Sequence, residues 1–234
     1  MKQAIYTIPI HEVFEPKDGC PICRMRDILE ERCVEYILGA AMMEPDIRME
    51  TNRLGFCKRH FDRMLERKNR LSLALLLESH LAQINRTVFS GSGEPRMGMD
   101  KKDRSKKAEK VVESCYVCEK VDSVMENMMD SIFHMYRQSS DFRALFSQQE
   151  ALCLPHYRIL CDIARSKLQK RELSEFLSLA NRLAGGYCRA LENDVRHFTK
   201  MFDYRNSGPE ADWGNSKDSI ERAVWFLTSR RTDK

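Results

Sequence analysis

The chain has 234 residues with a formal charge of +4, 42% hydrophobic and 32% charged residues, a balance that belongs to a soluble globular protein with a real core. With only 10 Gly and 7 Pro against 13 Met, it reads as an all-α fold rather than a sandwich or barrel. The charge is too small a bias to imply nucleic acid by itself.

The N-terminal stretch, residues 1–16, lacks the apolar run and small-residue cleavage site of a secretory signal, and no window approaches the length of a membrane span. A cytoplasmic protein with no membrane partner is expected. Nine cysteines are many for such a chain, and the odd number argues against a fully paired disulfide framework. In a reducing compartment such cysteines are more often metal ligands or catalytic groups.

The first two, Cys20 and Cys23, stand in C-P-I-C and open a helical pattern: Met25, Ile28, Leu29, Cys33, Tyr36, Ile37 and Ala40 recur at three- and four-residue steps. Further on, "FCKRHF" places Cys57 and His60 three apart at a helix start, so both can point at one atom. A long apolar helix is expected over residues 71–89. Residues 91–111 are polar and basic and read as a linker, whose charges are more simply solvated than bound to an anionic partner.

After this linker the pattern repeats. Cys115 and Cys118 match Cys20 and Cys23, and "LCLPHY" supplies Cys153 and His156, all at an offset of 95 to 96. Asp27 matches Asp122, Glu31 matches Glu126, and "PDIR" at 45–48 matches "SDFR" at 140–143. Nine cysteines placed at random give about 0.3 C-x-x-C pairs, so two pairs with matched C-x-x-H partners are a strong signal. Tyr116 stands where the first copy has Pro21. A second long helix follows to Phe202, interrupted only at Gly185 and Gly186, and residues 220–227 suggest a short terminal helix docked on the body. The organisation expected is thus a first helical repeat over 1–90, the linker, a second repeat over 112–202, and a polar tail over 203–234. The broad apolar surfaces of the closing helices imply that the copies pack into one body.

Three thiolates and an imidazole per copy form a Cys3His set, which suits zinc and closes its coordination shell, leaving no place for water or substrate. Two structural zinc ions are expected, one on Cys20, Cys23, Cys57 and His60, the other on Cys115, Cys118, Cys153 and His156. An iron–sulfur cluster, a redox dithiol or no metal is the alternative; no thioredoxin-like βαβ pattern surrounds the motif. Cys33, Cys161 and Cys188 fall on apolar helix faces and read as small core residues. His11, His80, His134 and His197 have no repeated partners. The methionines at 42, 43, 125, 128 and 129 read as core filling before they read as a pliable groove.

No phosphate-binding glycine loop, H-E-x-x-H or G-x-S-x-G occurs, and nothing proposes a reaction. The stretches "YTIPIHEVFE", "CPICRMRDILEERCVEYILG", "PDIRMETNRLGFCKRHFDRML" and "SIERAVWFL" together resemble an uncharacterised bacterial family of helical proteins, a domain of unknown function. The resemblance spans nearly the whole chain and implies a bacterial cytosolic origin and no established activity. The function expected is a non-enzymatic, zinc-stabilised adaptor for a protein partner. The alternative is a nucleic-acid-associated zinc protein using the basic linker and helix faces.

Overall fold

The computed structural model describes residues 6–89, 100–203 and 212–229, and among them the regular elements are all helical. In chain order they are α1 (Thr7–Phe14), α2 (Pro21–Leu38), α3 (Pro45–Leu54), α4 (Lys58–Glu66), α5 (Arg70–Ile84), α6 (Asp100–Glu113), α7 (Tyr116–Gln138), α8 (Ser140–Ser147), α9 (Leu154–Lys167), α10 (Lys170–Lys200) and α11 (Ser219–Thr228). Short single turns at Ala40–Met43, Asn85–Phe89 and Gly214–Ser216 complete the set.

Local chemistry sets the boundaries. Pro21 and Pro45 open α2 and α3, where the missing N–H costs nothing and the fixed φ suits a first turn. Asn69 accepts from the Ser72 backbone N–H and Ser139 from that of Phe142, each satisfying a donor that the helix cannot. At the start of α10, Gln169 and Glu172 form a reciprocal capping box. This helix of 31 residues, about 46 Å long, runs unbroken through Gly185 and Gly186, where the sequence suggested an interruption. Part of the segment expected to link the copies is the helix α6, while residues 90–99 lie outside the described residues, as do residues 204–211 and 230–234 of the expected polar tail.

The chain divides into two compact units that do not coincide with the sequence copies. One combines the described residues of Met1–Arg26 and Glu126–Lys234; the other is drawn from Asp27–Met125. The helices α2 and α7 each contribute to both units along their length.

The core of the first unit is aromatic. Phe14 of α1 packs 5.2 Å from Phe142 and 5.4 Å from Phe146 of α8, and Phe146 in turn lies 5.5 Å from Phe176 of α10. Phe133 and Tyr136 of α7 close the cluster against Phe176, and these rings are almost entirely removed from water. Each such ring buries enough apolar area to make the site expensive to empty. The expected terminal helix is α11, which packs on α9 and α10; Trp225 and Phe226 both lie 5.8 Å from Tyr187.

In the second unit α3 packs on α5, and Val34, Ile37, Leu54, Met64, Leu73 and Leu76 are buried. A ladder of ion pairs joins α2 to α4: Arg59 to Glu30 at 2.7 Å, Arg63 to Asp27 at 3.2 Å, and Arg67 to Glu31 and Glu35. The helix α5 is apolar nearly all round, so burying one face leaves Leu71 and Leu81 exposed.

Two smaller expectations need correction. Cys188 is exposed rather than a core residue, because it falls on the solvent side of α10, and Cys33 is only half-buried; Cys161 is buried as expected. No described helix is long and apolar enough to cross a membrane.

Candidate metal centres

Each C-x-x-C and each C-x-x-H is built the same way. The first cysteine stands just before the helix and the second ligand lies one turn inside it, so that both face the same side of the N-terminus. Cys57 and Cys153 occupy the N-cap positions of α4 and α9 in extended conformation, and their carbonyls accept from Phe61 at 3.0 Å and Tyr157 at 2.8 Å. Cys20 and Cys115 do likewise for α2 and α7, accepting from Arg24 at 3.2 Å and Glu119 at 3.0 Å.

The eight expected ligands form two clusters, but in a different pairing from the expected one. Cys20 and Cys23 join Cys153 and His156, whereas Cys57 and His60 join Cys115 and Cys118. Each half-motif closes with its counterpart from the other copy, because the C-x-x-C and the C-x-x-H that meet are packed within the same compact unit.

In the first cluster Cys23 Sγ lies 3.5 Å from Cys153 Sγ and 3.3 Å from His156 Nδ1, which is 3.7 Å from Cys20 Sγ and 3.1 Å from Cys153 Sγ. In the second, His60 Nδ1 lies 3.2 Å from Cys57, 3.2 Å from Cys115 and 3.5 Å from Cys118, with Cys57 and Cys118 3.9 Å apart. Tetrahedral bonds of about 2.3 Å to sulfur and about 2.05 Å to nitrogen give edges of about 3.8 Å and about 3.6 Å. The clusters have nearly those dimensions, and all nine cysteines are free thiols. Each therefore fits a metal ion that takes three sulfurs and one nitrogen, held by both histidines through Nδ1.

Electrostatics favour the same outcome. Two helix N-termini converge on each cluster, and their partial positive charge suits thiolates. Burial pushes the Cys20 thiol up, but hydrogen bonds from Cys153, Cys23 and His156 prevail and hold it well below the ordinary range. Hydrogen bonding with Cys118 draws Cys115 down to about 3 and raises Cys118. Burial lowers His60, yet the Cys115 sulfur at its Nδ1 and the Glu30 carboxylate beside its Nε2 outweigh this and raise it to about 9. The shared hydrogen bonds thus leave one sulfur of each cluster a thiolate and raise its neighbours Cys23, Cys153 and Cys118, whose protons a divalent cation would replace.

The loops before the ligands are tied to one another. In the second cluster Gly55, with φ +62°, accepts from the Tyr116 N–H at 3.0 Å, and the Ser114 hydroxyl donates to the Leu54 carbonyl at 2.7 Å. A Cβ on Gly55 would meet His80 Nε2 at 2.7 Å, while His80 Nδ1 lies 2.9 Å from the Asn52 carbonyl. In the first cluster the Gly19 N–H donates to Glu150 at 2.5 Å, and Gln149 Nε2 donates to the Phe14 carbonyl at 2.7 Å.

The surroundings differ. All four ligands of the first cluster are buried, and α11 covers it: the Trp225 ring lies 3.6 Å from where a Cβ on Gly19 would sit, and Cys23 Sγ is 3.9 Å from the Ser229 carbonyl. In the second cluster Cys57 and Cys118 are only half-buried. The residues of these supporting shells, Gly19, Gly55, Ser114, Gln149 and Glu150, escaped the sequence reading because no spacing rule marks a residue that acts through a neighbour's backbone.

Fold and sites together define an all-helical protein with two Cys3His clusters, each fit to hold a metal ion. The chain belongs to the family of unknown function DUF6062, whose model matches residues 1–234. No curated protein and no solved structure matches the chain.

Proposed function

We propose that the protein is a non-enzymatic, zinc-stabilised helical adaptor of the cytoplasm, with two structural zinc ions per chain. The observation that carries this reading is the closed ligand set of each cluster: three sulfurs and one imidazole nitrogen at tetrahedral spacing satisfy zinc completely and leave no coordination position for a substrate. Zinc has no geometric demand of its own and accepts soft sulfur with borderline nitrogen. Each ion would bind one half-motif from each copy, so metal energy becomes folding energy for the whole chain. Nine free thiols are compatible with a reducing compartment.

Support for a protein partner comes from the second unit, where Leu71 and Leu81 of α5 and Phe89 just beyond it are more than half exposed. Large apolar side chains left in water at helical spacing suit a partner that covers them. The second reading, nucleic-acid association, rests on α6, where Lys106, Lys107 and Lys110 are exposed. It requires binding that weakens steeply with salt as counterions are released. Elemental analysis of untagged protein tests the main reading: two zinc ions per chain are expected, and a metal-free protein whose melting is unchanged by strong chelator rejects it.

A further inference from the structure

His60 reaches the second cluster through Nδ1, which leaves Nε2 buried on the opposite side of the ring. A carboxylate oxygen of Glu30 stands 3.8 Å from that nitrogen, and both side chains are 1% exposed. A buried carboxylate is costly unless it is paired. Glu30 is paired twice, with Arg59 at 2.7 Å and Arg63 at 3.1 Å.

The two sequence copies show what this trio is for. At the repeat offset Glu30 corresponds to Met125, Arg59 to Pro155 and Arg63 to Ile159. The carboxylate and both guanidinium groups are present together in one copy and replaced together by apolar residues in the other. Asp27, which also pairs with Arg63, keeps its counterpart Asp122, so ion pairing between helices does not by itself account for the difference.

We propose that Glu30 is a positioning residue for the second metal centre, accepting the Nε2 proton of His60 so that Nδ1 is held toward the three sulfurs, a support that the first centre lacks. The inference rests on the structural-metal reading above. A histidine bound to a metal through one nitrogen carries its proton on the other, and an acceptor there fixes ring orientation and strengthens the ligand. Closing 3.8 Å to a hydrogen bond of about 2.9 Å takes a shift of under about 1 Å in one carboxylate. The formal charges of three thiolates, one divalent ion, Glu30, Arg59 and Arg63 then sum to zero, with the more exposed Asp27 at the solvent edge of the group. In the first centre the same ion with three thiolates keeps one negative charge, and complete burial retains the metal instead.

The test uses the full chain loaded with zinc, comparing wild type with Glu30→Gln, which keeps shape and removes the charged acceptor. Release to a chromophoric chelator is followed over time together with the metal count. The expected result is that one of the two ions leaves about 10- to 100-fold faster in the variant while the other keeps its rate. Wild-type protein labelled with ¹⁵N-histidine provides a second readout, independent of whether the variant folds. The Nε2–H of His60 is expected downfield and protected from water exchange. If the variant releases both ions at wild-type rates, or both equally faster with a lowered melting temperature, Glu30 merely pins α2 to α4 and the proposal fails. An unprotected His60 Nε2–H in the wild type overturns it as well. A folded chain that takes up no zinc is a different failure, since it removes the structural-metal reading itself and this inference with it.

Discussion

The cross-paired ligand sets predict a pattern of metal counts that no other pairing gives. Cys23 and Cys153 face one centre, 3.5 Å apart, while Cys57 belongs to the other, although it lies in the same sequence copy as Cys23. Structural zinc contributes an apparent ~10–16 kcal/mol in small zinc peptides, comparable with the ~5–15 kcal/mol that stabilises a whole domain. Losing one ligand therefore empties a centre rather than weakening it slightly, and stoichiometry is the sharpest readout. Cys23→Ser and Cys153→Ser should each retain one ion by native mass spectrometry. The double variant Cys23→Ser/Cys153→Ser should also retain one, because the second substitution strikes a centre already lost. Cys23→Ser/Cys57→Ser should retain none. The opposite result, one ion left in the Cys23/Cys57 variant and none in the Cys23/Cys153 variant, would refute the pairing and restore a separate site within each copy.

Other outcomes follow from the same geometry. Cys57→Ser should lower the melting temperature far more than Cys33→Ser, since only the former removes a ligand; thermal melts with and without strong chelator check this, and the chelator should abolish the difference. Gly55→Ala should destabilise by about 2 kcal/mol or more in denaturant unfolding, because its backbone region is essentially closed to other residues and its Cβ would stand 2.7 Å from the His80 ring. Trp225→Ala should hasten zinc loss from the first centre alone, as measured by release kinetics, because the ring covers the Gly19 turn there.

Much of this is legible in the sequence. The eight ligands, the helices they open and the terminal helix α11 all follow from periodicity and from the duplicated spacing, signals that act over a few turns. The pairing is not, because it follows from which helices pack into one compact unit, and no spacing within a copy reports that. Loop entropy also points the wrong way: closing Cys23 on Cys153 rather than on Cys57 costs about 1 kcal/mol more. Burial of Phe14 against Phe142 and Phe146 outweighs that easily, at about 1.5 to 3 kcal/mol for each such side chain. Glu30 was visible only as one acid among many; the mismatch with Met125 was the available signal, and it gains meaning once His60 is seen beside it.

The crossed ligation also has a history in every molecule made. Ribosomes add about 5–20 residues per second, so Cys20, Cys23, Cys57 and His60 emerge seconds before Cys115, and Cys153 and His156 come last. During that interval the nascent chain carries one complete Cys3His set that belongs to no native centre, closed by the shorter loop. On the structural-zinc reading proposed above, an ion bound to that early set would have to be surrendered again for the two crossed centres to form. On that reading the order of metal delivery becomes part of how the chain reaches its native state, and the half-buried Cys57 and Cys118 are where exchange would be least obstructed.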